Sequence, residues 1–229
     1  MASNGSASRP LGKLFVELQE KTQKIIHDSN YPADDVRHLA FLQCLGIIQP
    51  DIMVMNTIYT SLENQIPENM YPALFGIKKE WKEQQFGTLE RFVQYSSIIM
   101  FNFVLENFLK KLLAKLVKSD SPRQISKTTQ KLLYSISIVN PQNKINVLLT
   151  LGHIRNSFHS NGIHENESTQ QISLSGELFE FIKGQPILHT NWIRMHHLFD
   201  EIITIMDEII SIKEIKAISE KIEGRFITQ

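Results

Sequence analysis

Cysteine is almost absent from this chain of 229 residues, since Cys44 is the only one. A single cysteine excludes a disulfide within the chain and a metal centre built from several thiolates. Glycine and proline are also sparse, at 10 and 8 residues, which argues against long disordered segments away from the chain ends. Together with a hydrophobic content of 42%, these shortages predict a folded chain with a substantial core.

The motifs of several common enzyme classes are missing. The chain has no glycine-rich phosphate loop followed by Lys-Ser/Thr, no Gly-x-Ser-x-Gly elbow and no His-Glu-x-x-His pair, which argues against P-loop, α/β-hydrolase and zincin chemistry. Glu80 and Glu83 have the spacing of half a metal site of an all-α nucleotide pyrophosphatase, but no partner Glu-x-x-Asp follows on a later helix. We therefore interpret this pair as a solvated helix face and predict neither a metal nor a cofactor.

No segment has the pattern of a targeting or membrane-spanning sequence. The first nine residues are small and polar and lack the apolar run of a signal peptide. The longest uncharged stretch, Phe92 to Leu105, is shorter than a membrane span. We expect a cytoplasmic protein with no membrane contact, made of a flexible tail over residues 1–9 and a single domain over residues 10–229.

Apolar residues recur at helical spacing through most of the chain, which predicts a mainly α-helical (all-α) fold. Pro50 should separate two helices. Asn140 and Pro141 fit an N-cap and a first-turn proline, and Gly162 fits the C-cap of the helix that they open. We predict helices over residues 10–28, 33–48, 51–62, 73–85, 88–118, 124–137, 141 to between 159 and 161, and 191–218.

The apolar period changes to two in the stretch QISLSGELFEF. Ile172 and Leu174 alternate with polar residues, and Phe179 and Phe181 follow at the same spacing. Ser175-Gly176 between the two runs suits a tight turn. The pattern predicts one short β-hairpin before the last long helix.

The net charge is zero, but the charges are unevenly placed. From His164 to the end, eleven acidic residues face six basic ones. From Glu106 to Lys131, seven basic residues face two acidic ones, and this basic block is either a solvated helix face or a surface for a polyanion such as RNA. The basic residues are Lys110, Lys111, Lys115, Lys118, Arg123, Lys127 and Lys131.

The stretch GHIRNSFHSNGIH collects three histidines, one arginine and two asparagines. Arg155 and His159 are four residues apart, so they share one helix face if the helix persists to His159. Asn156 lies beside Arg155, and His164 follows the expected helix end. Cations and Asn-Gly are ordinary at a helix C-terminus. The same residue types also suit phosphate chemistry, because histidine can transfer protons near neutral pH and arginine binds phosphate oxygens.

Arg155-Asn156 followed by His159, at the end of a helix in an all-helical chain, resembles the motif of HEPN domains (higher eukaryotes and prokaryotes nucleotide-binding). That motif usually has four to six residues between arginine and histidine, and here there are three. The longer form RNSFHSNGIH is similar to a branch of bacterial HEPN-like proteins in which Arg-Asn-x-x-His runs into Asn-Gly, followed by a short hairpin and a long final helix. The resemblance covers a core of about residues 88–222.

The resemblance implies a HEPN-like helical bundle, a homodimer formed through the motif helices, and metal-independent endoribonuclease activity. Such proteins often belong to toxin or antiviral defence systems, so an antitoxin or a defence protein would be a partner. The alternative is a non-catalytic HEPN-like helical module that binds nucleotide, nucleic acid or a partner protein.

For the enzyme, we predict that His159 transfers a proton, that Arg155 holds the scissile phosphate and that Asn156 orients one of them. Asn161 and His164 are additional candidates. The basic block would gather RNA.

We also predict a homodimer that buries the Leu148–His159 face. Gly152 lies on that face and would allow a second helix to come close, and a symmetric dimer would place two Arg-His pairs around one cleft.

Overall fold

The computed structural model describes most of the chain. In the described part the fold is mainly α-helical, and one short hairpin precedes the last long helix, as the sequence predicts. The description covers residues 5–62, 67, 70, 72–73, 76, 81–117, 124–158, 160, 163–164, 169–174, 176–186 and 191–224.

The helices pack around one continuous apolar core. α2 lies between α1 and α3, while α6 contacts α1, α3 and α5. At the centre, the rings of Phe101 on α3 and Phe199 on α6 stack with centroids 3.9 Å apart. In chain order the named elements are α1 (Gly5–Asp28), α2 (Val36–Leu62), α3 (Lys82–Val117), α4 (Ile125–Tyr134), α5 (Pro141–Phe158), β1 (Gln170–Leu174), β2 (Glu177–Phe181), α6 (Trp192–Ser211) and α7 (Lys213–Lys216).

The prediction that Pro50 separates two helices is wrong, because α2 runs through it. Proline removes one backbone hydrogen bond from a helix and costs about 3 kcal/mol. The helix continues because its residues on both sides of Pro50 are held in the same core. Ile48 and Met55 are both buried there, and Asp51 accepts a hydrogen bond from Ser97 of α3 at 2.6 Å.

One described helix, α2, contains a stretch that is long and apolar enough to cross a membrane by length and composition alone. It is Val36–Thr57, with a mean hydropathy of 1.4. The stretch contains the buried charged residues Arg37 and Asp51 and packs between α1 and α3, as a core helix does. In the sequence, Pro50 and the charges of Arg37 and Asp51 obscure this stretch.

Several element boundaries differ from those predicted. α1 begins at Gly5 and so takes in residues 5–9, which we expected to form a tail. α3 begins at Lys82 instead of Thr88, so it takes in residues 82–85 of the helix predicted over residues 73–85, while residues 74–75 and 77–80 lie outside the described residues. Asn140 has a φ of 51°, so it is not in the extended conformation of an N-cap, although α5 does begin at Pro141.

The predicted hairpin is confirmed, with Ile172 opposite Phe179 and Leu174 opposite Glu177 in an antiparallel register. Gly176 has a φ of 81°, which suits the two-residue turn. The four alternating apolar side chains of the hairpin are all buried. The hairpin therefore closes the core beside α5 and α6.

The C-terminal segment after α6 is held by a buried ion pair. We expected the last helix to run to residue 218, but α6 ends at Ser211. It ends there because the backbone of Ile212 is extended and changes the direction of the chain. Asp35 and Arg37, at the start of α2, form a two-point ion pair with distances of 2.9 and 2.7 Å. Arg37 also donates to three carbonyls of the segment, those of Ile215 (3.3 Å), Ile218 (2.9 Å) and Glu220 (3.1 Å). We call this arrangement the C-terminal anchor.

Asp35 completes the anchor from its other side. It accepts a hydrogen bond from the backbone N–H of Ile222 at 3.0 Å. Burial by itself raises the pKa of Asp35, but the hydrogen bonds from Arg37 and Ile222 outweigh it and hold that pKa below its usual value. The carboxylate is therefore charged at neutral pH and paired on both oxygens.

Candidate functional site

The motif residues lie where the C-terminal end of α5 crosses the middle of α3. A Cβ atom built on Gly152 would lie 3.8 Å from the side-chain oxygen of Asn102. The ring of Phe158, six residues further along α5, contacts the ring of Tyr95 with centroids 4.3 Å apart. Later residues of α5 thus meet earlier residues of α3, and the two helices run antiparallel.

Arg155 is a half-buried cation at this crossing. Its Nη1 donates a hydrogen bond to Oδ1 of Asn156 at 3.1 Å, and its guanidinium carbon lies 5.9 Å from the centroid of the Phe103 ring. Among the residues that the structure describes, it has no acidic partner. Asn156 and Phe103 therefore orient the guanidinium while leaving donors for an anion.

His159 and Asn161 lie outside the described residues, and so does the predicted cap Gly162. Helix α5 is described to Phe158, one residue before His159. The shared face of Arg155 and His159 therefore stays a prediction.

His164 is described, and it lies in the core with 1% of its surface exposed. Its backbone N–H donates to Gln185 at 3.0 Å and its carbonyl accepts from Gly184 at 2.8 Å. Its ring packs 5.5 Å from the ring of Phe181. Nε2 of His164 has no hydrogen-bond partner among the described residues. This burial favours a structural role over the proton transfer that we predicted as an addition.

His153 shares that apolar environment. Its ring centroid lies 5.2 Å from that of Phe181 and 5.9 Å from that of His164. Burial, together with the charge that His164 can carry, lowers the pKa of His153 to about 4. The imidazole is therefore neutral at pH 7 and cannot supply a cation for phosphate.

The predicted basic block lies toward the other end of α3. Lys110 follows Phe103 by seven residues and Lys115 by twelve, which places them about 10 and 18 Å along the helix axis. Lys110 forms an ion pair with Glu106, and Lys115 forms one with Glu220 at 2.8 Å. Lys127 and Lys131 lie on α4, Lys111 on α3, and Lys118 and Arg123 fall outside the described residues. The lysines of α3 are therefore displaced along the helix from the position of Arg155.

The face of α5 that we expected to meet a second copy is partly occupied inside the chain. Leu148 is 2% exposed, and Gly152 faces Asn102 of α3. Near the C-terminal end of α5, Arg155 is half-buried and Asn156 is exposed, so this part of the helix is available to another molecule.

Sequence reasoning overlooked an exposed aromatic surface next to Arg155. Phe92 is 66% exposed, Phe103 40% and Tyr95 37%. We call these three residues of α3 the aromatic face. The sequence does contain a signal for it, because residues 92 and 103 lie eleven positions apart, close to three helical turns, in the longest uncharged stretch.

No cluster of three or more His, Cys, Asp or Glu side chains that could hold a metal ion occurs in the described part of the chain. Cys44 is buried, and burial raises the pKa of its thiol, so it is not a reactive nucleophile. Comparisons with protein-family models, curated proteins and solved structures find no match to this chain.

Proposed function

We propose that this chain is a HEPN-like, metal-independent endoribonuclease that acts at the C-terminal end of α5. The observation that supports this most is the state of Arg155. It is half-buried, oriented by Asn156 and Phe103, and without an acidic partner among the described residues. A cation held in this way suits an anionic ligand, and it lies four residues before His159.

The proposed reaction is an attack within the RNA chain. A histidine takes the proton of the 2′-hydroxyl, the 2′-oxygen attacks phosphorus, and the bond to the 5′-oxygen breaks as that oxygen receives a proton. The products are a 2′,3′-cyclic phosphate and a 5′-hydroxyl. Arg155 would stabilise the charge on the phosphate oxygens, and His159 would transfer a proton, which is worth about 10²–10⁴-fold in rate.

The reaction needs both a general base and a general acid. We propose that a homodimer supplies them as the two copies of His159. The two copies would meet at the ends of α5, since Leu148 and Gly152 are covered by their own chain. An isologous contact would then place two Arg155 side chains around one phosphate. Sedimentation at tens of micromolar should give the mass of two chains, and a monomer would contradict this arrangement.

The resemblance of Arg155-Asn156-x-x-His159 to the HEPN motif also supports a setting for the activity. We propose a cytoplasmic toxin or antiviral defence protein whose partner is an antitoxin or another defence component. Such a partner would act by covering the end of α5.

The test measures cleavage of single-stranded RNA, in the presence of EDTA, by the wild type, Arg155→Ala and His159→Ala. We expect cyclic phosphate ends, no cleavage of DNA, and a loss of about a hundredfold or more in each variant. Lys13→Ala and His27→Ala are matched controls, because both side chains are exposed on α1 and should change the rate by less than about twofold. Cleavage that survives in His159→Ala would remove that residue from the mechanism.

The burial of His153 and His164 favours a second candidate, the non-catalytic HEPN-like module. Both described histidines of GHIRNSFHSNGIH lie in the apolar cluster around Phe181. A wild type that binds RNA or nucleotide but cleaves none of a broad set of RNAs would support the module.

A further inference from the structure

The aromatic face is a row of exposed rings along one side of α3. Phe92 and Phe103 are eleven residues apart, which places them nearly in line and about 16 Å apart along the axis. Tyr95 lies between them and contacts Phe158 of α5. The row therefore leads directly to the end of α5, where Arg155 lies against Phe103.

This exposure is unusual for the surface of a soluble helix. A solvated face normally carries charged residues, but no charged residue occurs from Phe92 to Leu105. Contiguous exposed apolar side chains commonly mark a surface that binds another molecule. The aromatic face is thus a candidate binding surface, and the charges at its border identify what it binds.

Two arginines, Arg91 and Arg155, border the aromatic face. Arg91, one helical turn before Tyr95, is exposed, and its Nε donates to the carbonyl of Gly87 at 3.2 Å. Arg155 borders Phe103. The nearest acidic residues in the sequence of α3 are already engaged, since Glu90 has a side-chain hydrogen bond with Trp192 and Glu106 pairs with Lys110.

The arrangement of rings and arginines favours a polyanion over a second copy of the chain. A second copy lying on this face would bring its own Arg91 and Arg155 toward these arginines, and the neighbouring acids Glu90 and Glu106 already have partners within the chain. A polynucleotide supplies phosphates for the arginines and flat bases for the rings. Aromatic side chains combined with cations are the usual means of binding single strands.

We propose that the aromatic face binds unstacked bases of single-stranded RNA, while Arg91 and Arg155 contact the neighbouring phosphates. A duplex keeps its bases paired and stacked, so it cannot place them on these rings. This proposal rests on the proposed function, which places the cleaved phosphate at Arg155 beside Phe103. It adds that the RNA nucleotides lying between Phe103 and Phe92 are unpaired.

The experiment measures the Kd of a labelled mixed-sequence 12-nucleotide RNA, alone and as a duplex, for the full chain carrying His159→Ala so that no cleavage occurs. Phe92→Leu and Phe103→Leu keep an apolar side chain but remove the ring. We expect each to weaken single-strand binding about 5- to 100-fold, with duplex binding much weaker than single-strand binding throughout. Tyr134→Leu is the matched control, because Tyr134 is an exposed aromatic residue on α4, and it should leave the Kd unchanged.

Leucine variants that keep the wild-type Kd and unfold at the wild-type temperature would overturn the proposal. A dimer that dissociates in Phe103→Leu while the Kd per chain stays constant would also overturn it, because the face would then be an interface between copies. Binding that depends on the rings, in a wild type that cleaves nothing, would sustain this inference and reject the ribonuclease. If the wild type cleaves RNA and neither leucine variant changes KM, the ribonuclease would be sustained and this inference rejected.

Discussion

Arg37 and Arg155 both lie at helix ends beside aromatic rings, but their surroundings differ. All five N–H groups of Arg37 have acceptors, two on Asp35 and three on backbone carbonyls of the C-terminal segment. Arg155 donates to a single described side chain, that of its neighbour Asn156. Arg37 is almost fully buried, whereas Arg155 is half-buried.

The difference distinguishes a structural charge from a charge available for function. Burying an arginine is costly unless every donor is paired, and the C-terminal anchor meets that requirement within the chain. At the end of α5 the requirement is not met by the described residues. A ligand with several acceptor oxygens, such as a phosphate, would meet it.

The largest expected effect is on stability at the C-terminal anchor. Arg37→Ala leaves Asp35 charged and buried without its partner, so the free energy of unfolding should fall by about 3–5 kcal/mol. Arg155→Ala should change it by less than about 0.5 kcal/mol. Urea denaturation of both variants measures the two values. Equal losses would remove the distinction between the two arginines.

Asp51 gives the next largest effect, because it is a buried acid without a cation. Its Oδ1 accepts from Ser97, and its Oδ2 has no partner among the described residues. Burial raises the pKa of Asp51 to about 7, although the hydrogen bond from Ser97 lowers it. Asp51 therefore contributes stability at low pH that is lost as pH rises from about 4 to 7.

Asp51→Asn should consequently raise the free energy of unfolding by up to about 4 kcal/mol at pH 8 and leave it nearly unchanged at pH 4. Urea denaturation at the two pH values measures this. A variant that is destabilised at pH 8 would mean that the carboxylate has a partner in the native protein.

His153 should produce the opposite slope in the same pH range. Because its pKa is lowered to about 4 in the folded chain, the unfolded chain takes up a proton first as pH falls below about 6.5. The folded state thus loses up to about 3 kcal/mol of stability between pH 6.5 and 4. His153→Gln cannot take up this proton, so its stability should fall less over that interval. A variant with the wild-type pH profile would contradict the burial of this ring.

The smallest expected effect concerns the basic block. Because Lys111 follows Phe103 by eight residues, which is about 12 Å along the axis of α3, replacing it with Gln should change RNA cleavage by less than about twofold and leave its salt dependence unaltered. Each lysine that binds a phosphate would instead lower the slope of log affinity against log salt by about 1. Such a decrease would show that the basic block belongs to the RNA-binding surface.

The sequence predicted correctly those features that depend on residues close together in the chain. The hairpin follows from alternation around Ser175-Gly176. Asn191 caps the start of α6, because its side chain accepts from the N–H of Arg194 at 2.9 Å. Pro50 misled the prediction because tertiary contacts on both sides outweigh its local cost.

Features that depend on contacts between distant parts of the chain could not be predicted from the sequence. Nothing near Asp35 indicates that it pairs with Ile222, 187 residues away. The arginine and asparagine of the candidate site were recognisable from spacing, but the burial of His164 was not, because it depends on Phe181 of the hairpin. The spacing of Phe92 and Phe103 was visible in the sequence, but their position beside Arg155 depends on the packing of α5 against α3.

The most direct test of the account measures kcat/KM for single-stranded RNA and the free energy of unfolding on the same preparations of wild type and Arg155→Ala. We predict that kcat/KM falls by about a hundredfold or more, equivalent to at least about 2.7 kcal/mol of transition-state stabilisation. The free energy of unfolding should stay within about 0.5 kcal/mol of the wild type. Unchanged cleavage, or a loss of stability large enough to explain the loss of cleavage, would contradict the claim that Arg155 serves the site and not the fold.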